Sequence, residues 1–165
     1  MQTGTNAMDP REFRNALGQF ATGVTVITAL DGAGQPRGIT ANSFSSVSLE
    51  PMLVLWSLGR SASAFDVFSQ AEHFAINVLT LEQQVLSNHF ATNDHEQFQG
   101  ISCSKGRAGV PILDDSAAVF ECETEHRYDG GDHVILVGRV QGFSYRDGVR
   151  PLIFHGGQYA QLGNG

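Results

Sequence analysis

The pattern that most constrains the fold is a long alternating segment, a glycine turn and then an apolar segment. From 117 to 128, charged residues alternate with a second set that includes aromatic side chains, which is typical of an antiparallel strand with one wet face. After the turn Asp129–Asp132, residues 133–140 are apolar at both odd and even positions. Both faces of this second strand should therefore be covered, one by a barrel core and one by a second subunit. The pattern predicts a homodimer, with His126 in the core or at an interface.

Shorter strand patterns and a few helical patterns fill the rest of the chain. Asp9, Pro10 and Glu12 form a helix start with a capping box. Many short strands with few helices predict a closed antiparallel β-barrel, and the segment 93–111 is expected to be a loop acting as a lid or dimer arm. Helices are predicted at 9–18 or 9–21, 63–70 and 81–92; further strands are predicted at 24–29, 38–47, 53–58, 73–79, 152–155 and 158–162.

Composition limits the classes of protein to which the chain belongs. At 165 residues we expect one domain over 9–165, preceded by a disordered tail at 1–8. No apolar run approaches the roughly 20 residues that span a bilayer, and no signal peptide is recognisable. The net charge of −7 argues against nucleic acid and anionic membranes as main partners. Cys103 and Cys122 are expected to be reduced thiols in a cytoplasmic protein.

The sequence lacks the motifs of several well-known classes of enzyme and cofactor site. There is no phosphate-binding G-x-x-x-x-G-K-[ST] loop, no G-x-G-x-x-G after a strand and no G-x-S-x-G nucleophile turn. A nicotinamide cofactor would therefore bind without a Rossmann unit. The six histidines include no H-x-x-x-H pair, so we expect no metal site.

Two serine-rich clusters are the candidates for ligand binding. Five of the nine residues from Thr40 to Ser48 are Ser or Thr, and such small hydroxyl side chains let a flat ligand lie close to the backbone. A second cluster, Ser57–Ser63, precedes a predicted helix whose N–H groups would suit a phosphate, with Ser61 as its N-cap. Together they indicate a nucleotide-like cofactor. Two turns that only cap and solvate the chain are an equally good explanation of the same pattern.

Four blocks of sequence resemble the short-chain flavin reductases. They are Phe13–Thr28, Thr40–Ser48, Gly131–His133 and Pro151–Tyr159, which occur in the family's order and span nearly the whole chain. Met52 departs from the pattern, because many relatives have a second proline there. The resemblance implies a mainly β, FMN-binding split β-barrel that forms homodimers. It also implies reduction of FMN or FAD by NADH or NADPH, with the reduced flavin passed to a separate monooxygenase.

The resemblance also implies roles for individual residues. It places the flavin ring along Thr40, Ala41, Asn42 and Ser43, the phosphate at Ser57, Ser61 and Ser63, and the nicotinamide at His133, the candidate catalytic residue. The alternative for His133 is a strand-end side chain bonded to a backbone carbonyl. Arg60 is expected to be a solvated surface charge, the alternative being a contact with the phosphate, and Asp132 is expected to shape its turn. Phe154 and Tyr159 are expected to flank the ring or to close the barrel core. Phe90 is expected to fill the core, the alternative being contact with the adenine if the flavin is FAD.

Two other functions fit the same barrel. One is a flavoprotein that keeps its FMN and passes electrons to a protein partner. The other is a flavin- or haem-binding protein without enzymatic activity.

Overall fold

The chain folds mainly into antiparallel strands within residues 9–92 and 96–163, which a computed structural model describes. The predicted tail at 1–8 lies outside the described residues. The helices are α1 Pro10–Leu17, α2 Phe65–Gln70 and α3 Gln84–Ala91. The strands are β1 Thr22–Gly23, β2 Thr25–Leu30, β3 Pro36–Ala41, β4 Ser45–Leu49, β5 Met52–Gly59, β6 His73–Val78, β7 Cys103–Lys105, β8 Pro111–Leu113, β9 Ala118–Gly130, β10 His133–Tyr145, β11 Ile153–His155 and β12 Gln158–Ala160.

Seven of these strands form one antiparallel sheet in the order β3-β2-β6-β9-β10-β5-β4. Its two edges, β3 and β4, are consecutive in sequence and are joined by residues 42–44. The prediction of a continuous strand over 38–47 is therefore wrong, because the chain leaves one edge of the sheet and enters the other there. We call residues 41–44 the seam segment.

The β9–β10 hairpin is longer than the sequence pattern predicts. Each strand has 13 residues, and the connecting turn shrinks to Gly131 and Asp132, with Gly131 at φ +76°. Val134 and Leu136 face the barrel core, whereas Val137, which points to the opposite face, is only 6% exposed. The single chain thus covers more of β10 than expected. His126 is exposed and stacks on Tyr128, so its predicted place in the core is wrong. The other predicted place, at an interface between subunits, stays a prediction.

Two hydrophobic cores lie on opposite faces of β2. Ile27 and Ala29 belong to the core inside the barrel, to which α2 contributes Phe68, whereas Val24 and Val26 belong to a second core beneath α3. The second core consists of Val24, Val26, Leu79, Phe90, Leu113 and Leu152.

The α3 helix lies directly against strand β3. A Cβ atom at Gly38 would come within 2.5 Å of the Phe90 ring, so only glycine permits this approach. The predicted helix over 81–92 is confirmed, beginning as a 3₁₀ turn, Leu81–Gln83, with a capping box at Thr80.

The structure confirms some of the other local predictions and contradicts one. Asp9 caps α1 by accepting a hydrogen bond from the Arg11 N–H group, as expected. The predicted loop 93–111 instead contains strand β7 and the start of β8 in its described part. Cys103 and Cys122 are free thiols, as predicted. Among the described residues, none of the helices has the length and apolar character needed to cross a membrane.

Candidate functional site

The seam segment is held at both ends by side-chain hydrogen bonds. The Thr25 hydroxyl donates to the Ala41 carbonyl at 2.6 Å. The Ser43 hydroxyl accepts from the Ser57 N–H group at 2.9 Å and donates to the Ser57 carbonyl at 3.1 Å. The Ser43 side chain thus satisfies the backbone N–H and carbonyl groups of Ser57 in β5, which a neighbouring strand would otherwise pair with. Asn42, between these anchors, is exposed.

Two of the predicted ligand contacts use their hydroxyl groups inside the protein. The Thr40 hydroxyl donates to the Ser87 carbonyl in α3 at 2.6 Å. The Tyr159 hydroxyl lies 2.6 Å from the Ser87 hydroxyl and donates to the Asn88 side chain at 3.0 Å. Both side chains therefore bind α3. Ser87 was missed from the sequence, although a serine on the apolar face of a helix that buries Phe90 was an available signal.

The two predicted aromatic residues pack on the second core. The rings of Phe154 and Tyr159 lie 5.7 Å apart in an edge-to-face arrangement, and both side chains are half-buried. Phe154 pairs across the strands with Thr22, whose hydroxyl is buried and without a hydrogen-bond partner in the structure. An unsatisfied buried hydroxyl is costly, and a ligand or water beside it would remove that cost.

Arg60 links the second serine cluster to the β9–β10 turn. Its guanidinium donates to the Gly131 carbonyl at 2.9 Å and to the Asp129 carboxylate at 2.6 Å. Its N–H group donates to the Asp132 carbonyl at 2.9 Å. The expectation of a merely solvated charge is therefore wrong, because Arg60 joins the two turns. Its positive charge is already balanced by Asp129.

Ser61 and Ser63 lie in a turn and not at a helix start. The α2 helix begins at Phe65, and its N-cap is Ala64 without any side-chain cap. The predicted capping role of Ser61 is therefore wrong. The physical reason is that burial of Ala64 and Phe68 sets where the helix can face the core, while Arg60 holds the preceding residues against the other turn. Both serine side chains remain exposed.

His133 and Asp132 form a hydrogen-bonded pair at the start of β10. The His133 Nδ1 atom lies 2.7 Å from the Asp132 carboxylate, and this hydrogen bond lowers the pKa of that carboxyl below its ordinary value. The partner is thus a carboxylate, and the expected alternative of a backbone carbonyl is wrong. His133 pairs with Gly59 of β5, and its Nε2 atom lies 3.7 Å from where a Gly59 Cβ would be.

The strand β5 brings the separate clusters to one place. Ser57 anchors the seam segment, and Gly59, two residues later, pairs with His133. Two residues of a strand span about 7 Å. The seam segment, the turn with Ser61 and Ser63, and His133 therefore lie side by side at one end of the barrel.

This region is an open surface in the single chain. Asn42, Ser61, Ser63 and His133 are exposed. Four cavities of about 150 to 620 Å³ are lined by other residues. Within residues 9–92 and 96–163, no three His, Cys, Asp or Glu side chains are grouped as metal ligands.

Comparison with known proteins gives a consistent picture. A family model described as "Flavin reductase like domain" matches residues 17–163. The chain is 48% identical over 152 residues to the FMN reductase (NADH) SmoA of Agrobacterium fabrum, with 92% of this chain and 86% of that protein covered. It is 42% identical over 156 residues to HsaB, the reductase subunit of a flavin-dependent monooxygenase from Rhodococcus jostii, with 94% and 80% covered.

A solved structure extends the likeness to the fold. The NADH:FAD oxidoreductase SgcE6 of Streptomyces globisporus, in complex with NAD and FAD fragments, has a TM-score of 0.92 and 34% identity, with 98% of each chain covered. Some other relatives are longer, and the chain spans about half of their length.

Proposed function

Because the chain belongs to the flavin reductase-like family, we propose that it uses NADH to reduce FMN or FAD and then releases the reduced flavin. The predicted split-barrel fold and the prediction of an NAD(P)H-dependent flavin oxidoreductase are confirmed at the level of the family. The observation that carries the proposal for this chain is the meeting of the seam segment, the serine turn and His133 along β5.

The residues present fit a flavin. Asn42 and Ser43 lie outside the strand pairing, and the segment is anchored at Ala41 and at Ser43, so the backbone groups of these residues suit the polar edge of a flat ring. The buried Thr22 hydroxyl lacks a partner in the structure beside Phe154. The exposed Ser61 and Ser63 hydroxyls suit a phosphate.

Each part of the chain has a positioning task in this proposal. A bound flavin supplies the atom that accepts the hydride from the nicotinamide. Ala41–Ser43 hold the ring through backbone groups, and Ser57 fixes that backbone. Thr40 and Tyr159 act indirectly, since their hydroxyls bind α3. Arg60 shapes the phosphate turn, because its own charge is already paired.

His133 is proposed to orient the nicotinamide. Asp132 is an acceptor when ionised, so the His133 Nδ1–H donates to it and Nε2 is the atom left for a ligand. A ring held in this way can hydrogen-bond a carboxamide and restrict how the nicotinamide lies over the flavin. Orienting two reactants in one site is a large part of what such an enzyme contributes.

A steady-state assay tests the proposed activity. Purified protein should oxidise NADH when FMN or FAD is supplied, and comparison with NADPH and riboflavin would define its preferences. Failure with every flavin would contradict the proposal and favour a non-enzymatic flavin or haem binder. A yellow protein that keeps FMN through extensive dialysis would favour the permanently bound flavoprotein.

We also propose a homodimer that uses the outer face of the hairpin, defined here by Leu55, His126, Tyr128, Ile135 and Val137. Strand pairing places these residues side by side, opposite the core-facing Val134 and Leu136. Tyr128 is 51% exposed, and large exposed aromatic residues mark protein interfaces.

Delivery of reduced flavin to a monooxygenase is the proposed biological use. Support comes from relatives such as HsaB, which is named as the reductase subunit of a flavin-dependent monooxygenase. A cytoplasmic location stays a prediction from the sequence.

A further inference from the structure

Ser87 is a buried polar residue that contacts two separate parts of the fold, both of which the proposed function places beside the flavin. It has no exposed surface. Its carbonyl accepts from Thr40 at the end of β3, and its hydroxyl lies 2.6 Å from that of Tyr159 in β12. These partners are 47 and 72 residues away in sequence, so α3 joins parts of the chain that the sheets alone do not connect.

The Asn88 side chain suggests the hydrogen-bond directions in this group. A tyrosine hydroxyl has one hydrogen, and that of Tyr159 is donated to the Asn88 oxygen at 3.0 Å. With the Asn88 oxygen as acceptor, the Ser87 hydroxyl is left to donate to the Tyr159 oxygen. Each hydroxyl has a defined partner, and a satisfied polar group in a buried setting favours a single arrangement.

The α3 helix and the residues after it also hold β3 just before the seam segment. The Gln97 side chain accepts from the Gly38 N–H group at 3.1 Å and donates to the Gly38 carbonyl at 3.0 Å. Phe90 packs against the same glycine. Thr40, two residues later, is bound by the Ser87 carbonyl. The helix therefore fixes where the seam segment begins.

We propose that Ser87 is a positioning residue for the flavin. Through Thr40 it holds the seam segment, and through Tyr159 it holds the β11–β12 hairpin that carries Phe154, so it sets the distance between these two walls. The inference rests on the proposed function, since it takes the flavin ring to lie along Ala41–Ser43. The Thr40 contact is made by the backbone carbonyl of Ser87, so the role assigned to the side chain is the contact of its hydroxyl with Tyr159, which ties the hairpin to the helix that holds Thr40.

The test is the affinity of Ser87→Ala for FMN, measured by fluorescence titration. Loss of one buried hydrogen bond should raise the Kd for FMN about 2- to 13-fold while the KM for NADH stays unchanged. The matched control is Ser116→Ala, because Ser116 is also buried and donates to a backbone carbonyl, that of Leu113, at 3.0 Å. The control should lower the melting temperature and leave the Kd for FMN unchanged.

A second variant removes the same hydrogen bond from its other end, together with the one that Tyr159 donates to Asn88. Tyr159→Phe should also weaken FMN binding, and the effects of Ser87→Ala and Tyr159→Phe should be less than additive in the double variant. Folded Ser87→Ala with the wild-type Kd would overturn the inference. If Ser87→Ala does not fold, an unchanged Kd in Tyr159→Phe would overturn it. If the wild-type protein binds and reduces flavin, a negative result with the variants overturns the role of Ser87 and leaves the proposed function standing. If the wild-type protein binds no flavin, both are overturned.

Discussion

At the scale of single residues, the His133–Asp132 pair offers the most direct test of the site. His133→Ala removes a proposed hydrogen bond to the nicotinamide, which is worth about 0.5–1.5 kcal/mol. We expect kcat/KM for NADH to fall about 2- to 13-fold with the flavin affinity little changed. Steady-state kinetics and a melting curve on the same variant give the answer. Normal kinetics with a lower melting temperature would assign His133 a structural role only.

Asp132 gives this pair a dependence on pH. Its folded-state pKa lies below the ordinary value because of the hydrogen bond from His133. Ionised Asp132 therefore stabilises the turn fully above that ordinary pKa, and the effect is lost as pH falls through the lowered one. Melting curves of wild type and Asp132→Asn from about pH 7 to about pH 2 should converge at the acid end. A constant difference across this range would contradict the assignment.

At the scale of elements, the turn before α2 is expected to bind the phosphate of the flavin. Ser61→Asp places a negative charge beside that position, and two unit charges about 4 Å apart in water repel by about 1 kcal/mol. The Kd for FMN should therefore rise about fivefold, measured by fluorescence titration. Ser104→Asp adds the same charge at an exposed position on β7 and should have no effect. Equal affinity for FMN in both variants would show that the turn is not part of the site.

The contact between α3 and β3 makes a second prediction at this scale. Gly38→Ala would force a methyl group against Phe90 and should destabilise the protein by about 1–3 kcal/mol. Gly32→Ala is the control, because a Cβ there meets nothing within 4 Å. Urea unfolding compares the two variants. Addition of Phe90→Leu to Gly38→Ala should restore part of the loss, and no difference between the two glycine positions would disprove this contact.

At the scale of the whole molecule, the outer face of the hairpin is the proposed dimer interface. Tyr128→Glu buries a charge against apolar residues and should raise the dimer dissociation constant tenfold or more, which corresponds to about 1.4 kcal/mol. Val85→Glu alters an apolar residue of α3 that is 76% exposed and should leave the dimer intact. Sedimentation equilibrium measures both. A wild-type chain that is monomeric at micromolar concentration would contradict the proposal.

The sequence by itself determined part of the strand and turn pattern, and it pointed to the family. The β9–β10 hairpin, the cap of α1 and the helix over 81–92 follow from alternation, helical spacing and capping residues, which are local properties. The four resembling blocks pointed to the flavin reductases, and the family match over 17–163 agrees. These features involve residues close in sequence, so their signals are present before the chain folds.

Only the tertiary structure decided how the candidate residues are used. The break of one expected strand into two sheet edges at residues 42–44 depends on the order of seven strands. Arg60 binds a turn 69 to 71 residues away, and the hydroxyls of Thr40 and Tyr159 meet at Ser87. A hydroxyl or a guanidinium has the same sequence signal whether it faces a ligand, solvent or another strand. Its partner is chosen when the sheets close, since closure alone brings such distant groups within hydrogen-bonding distance.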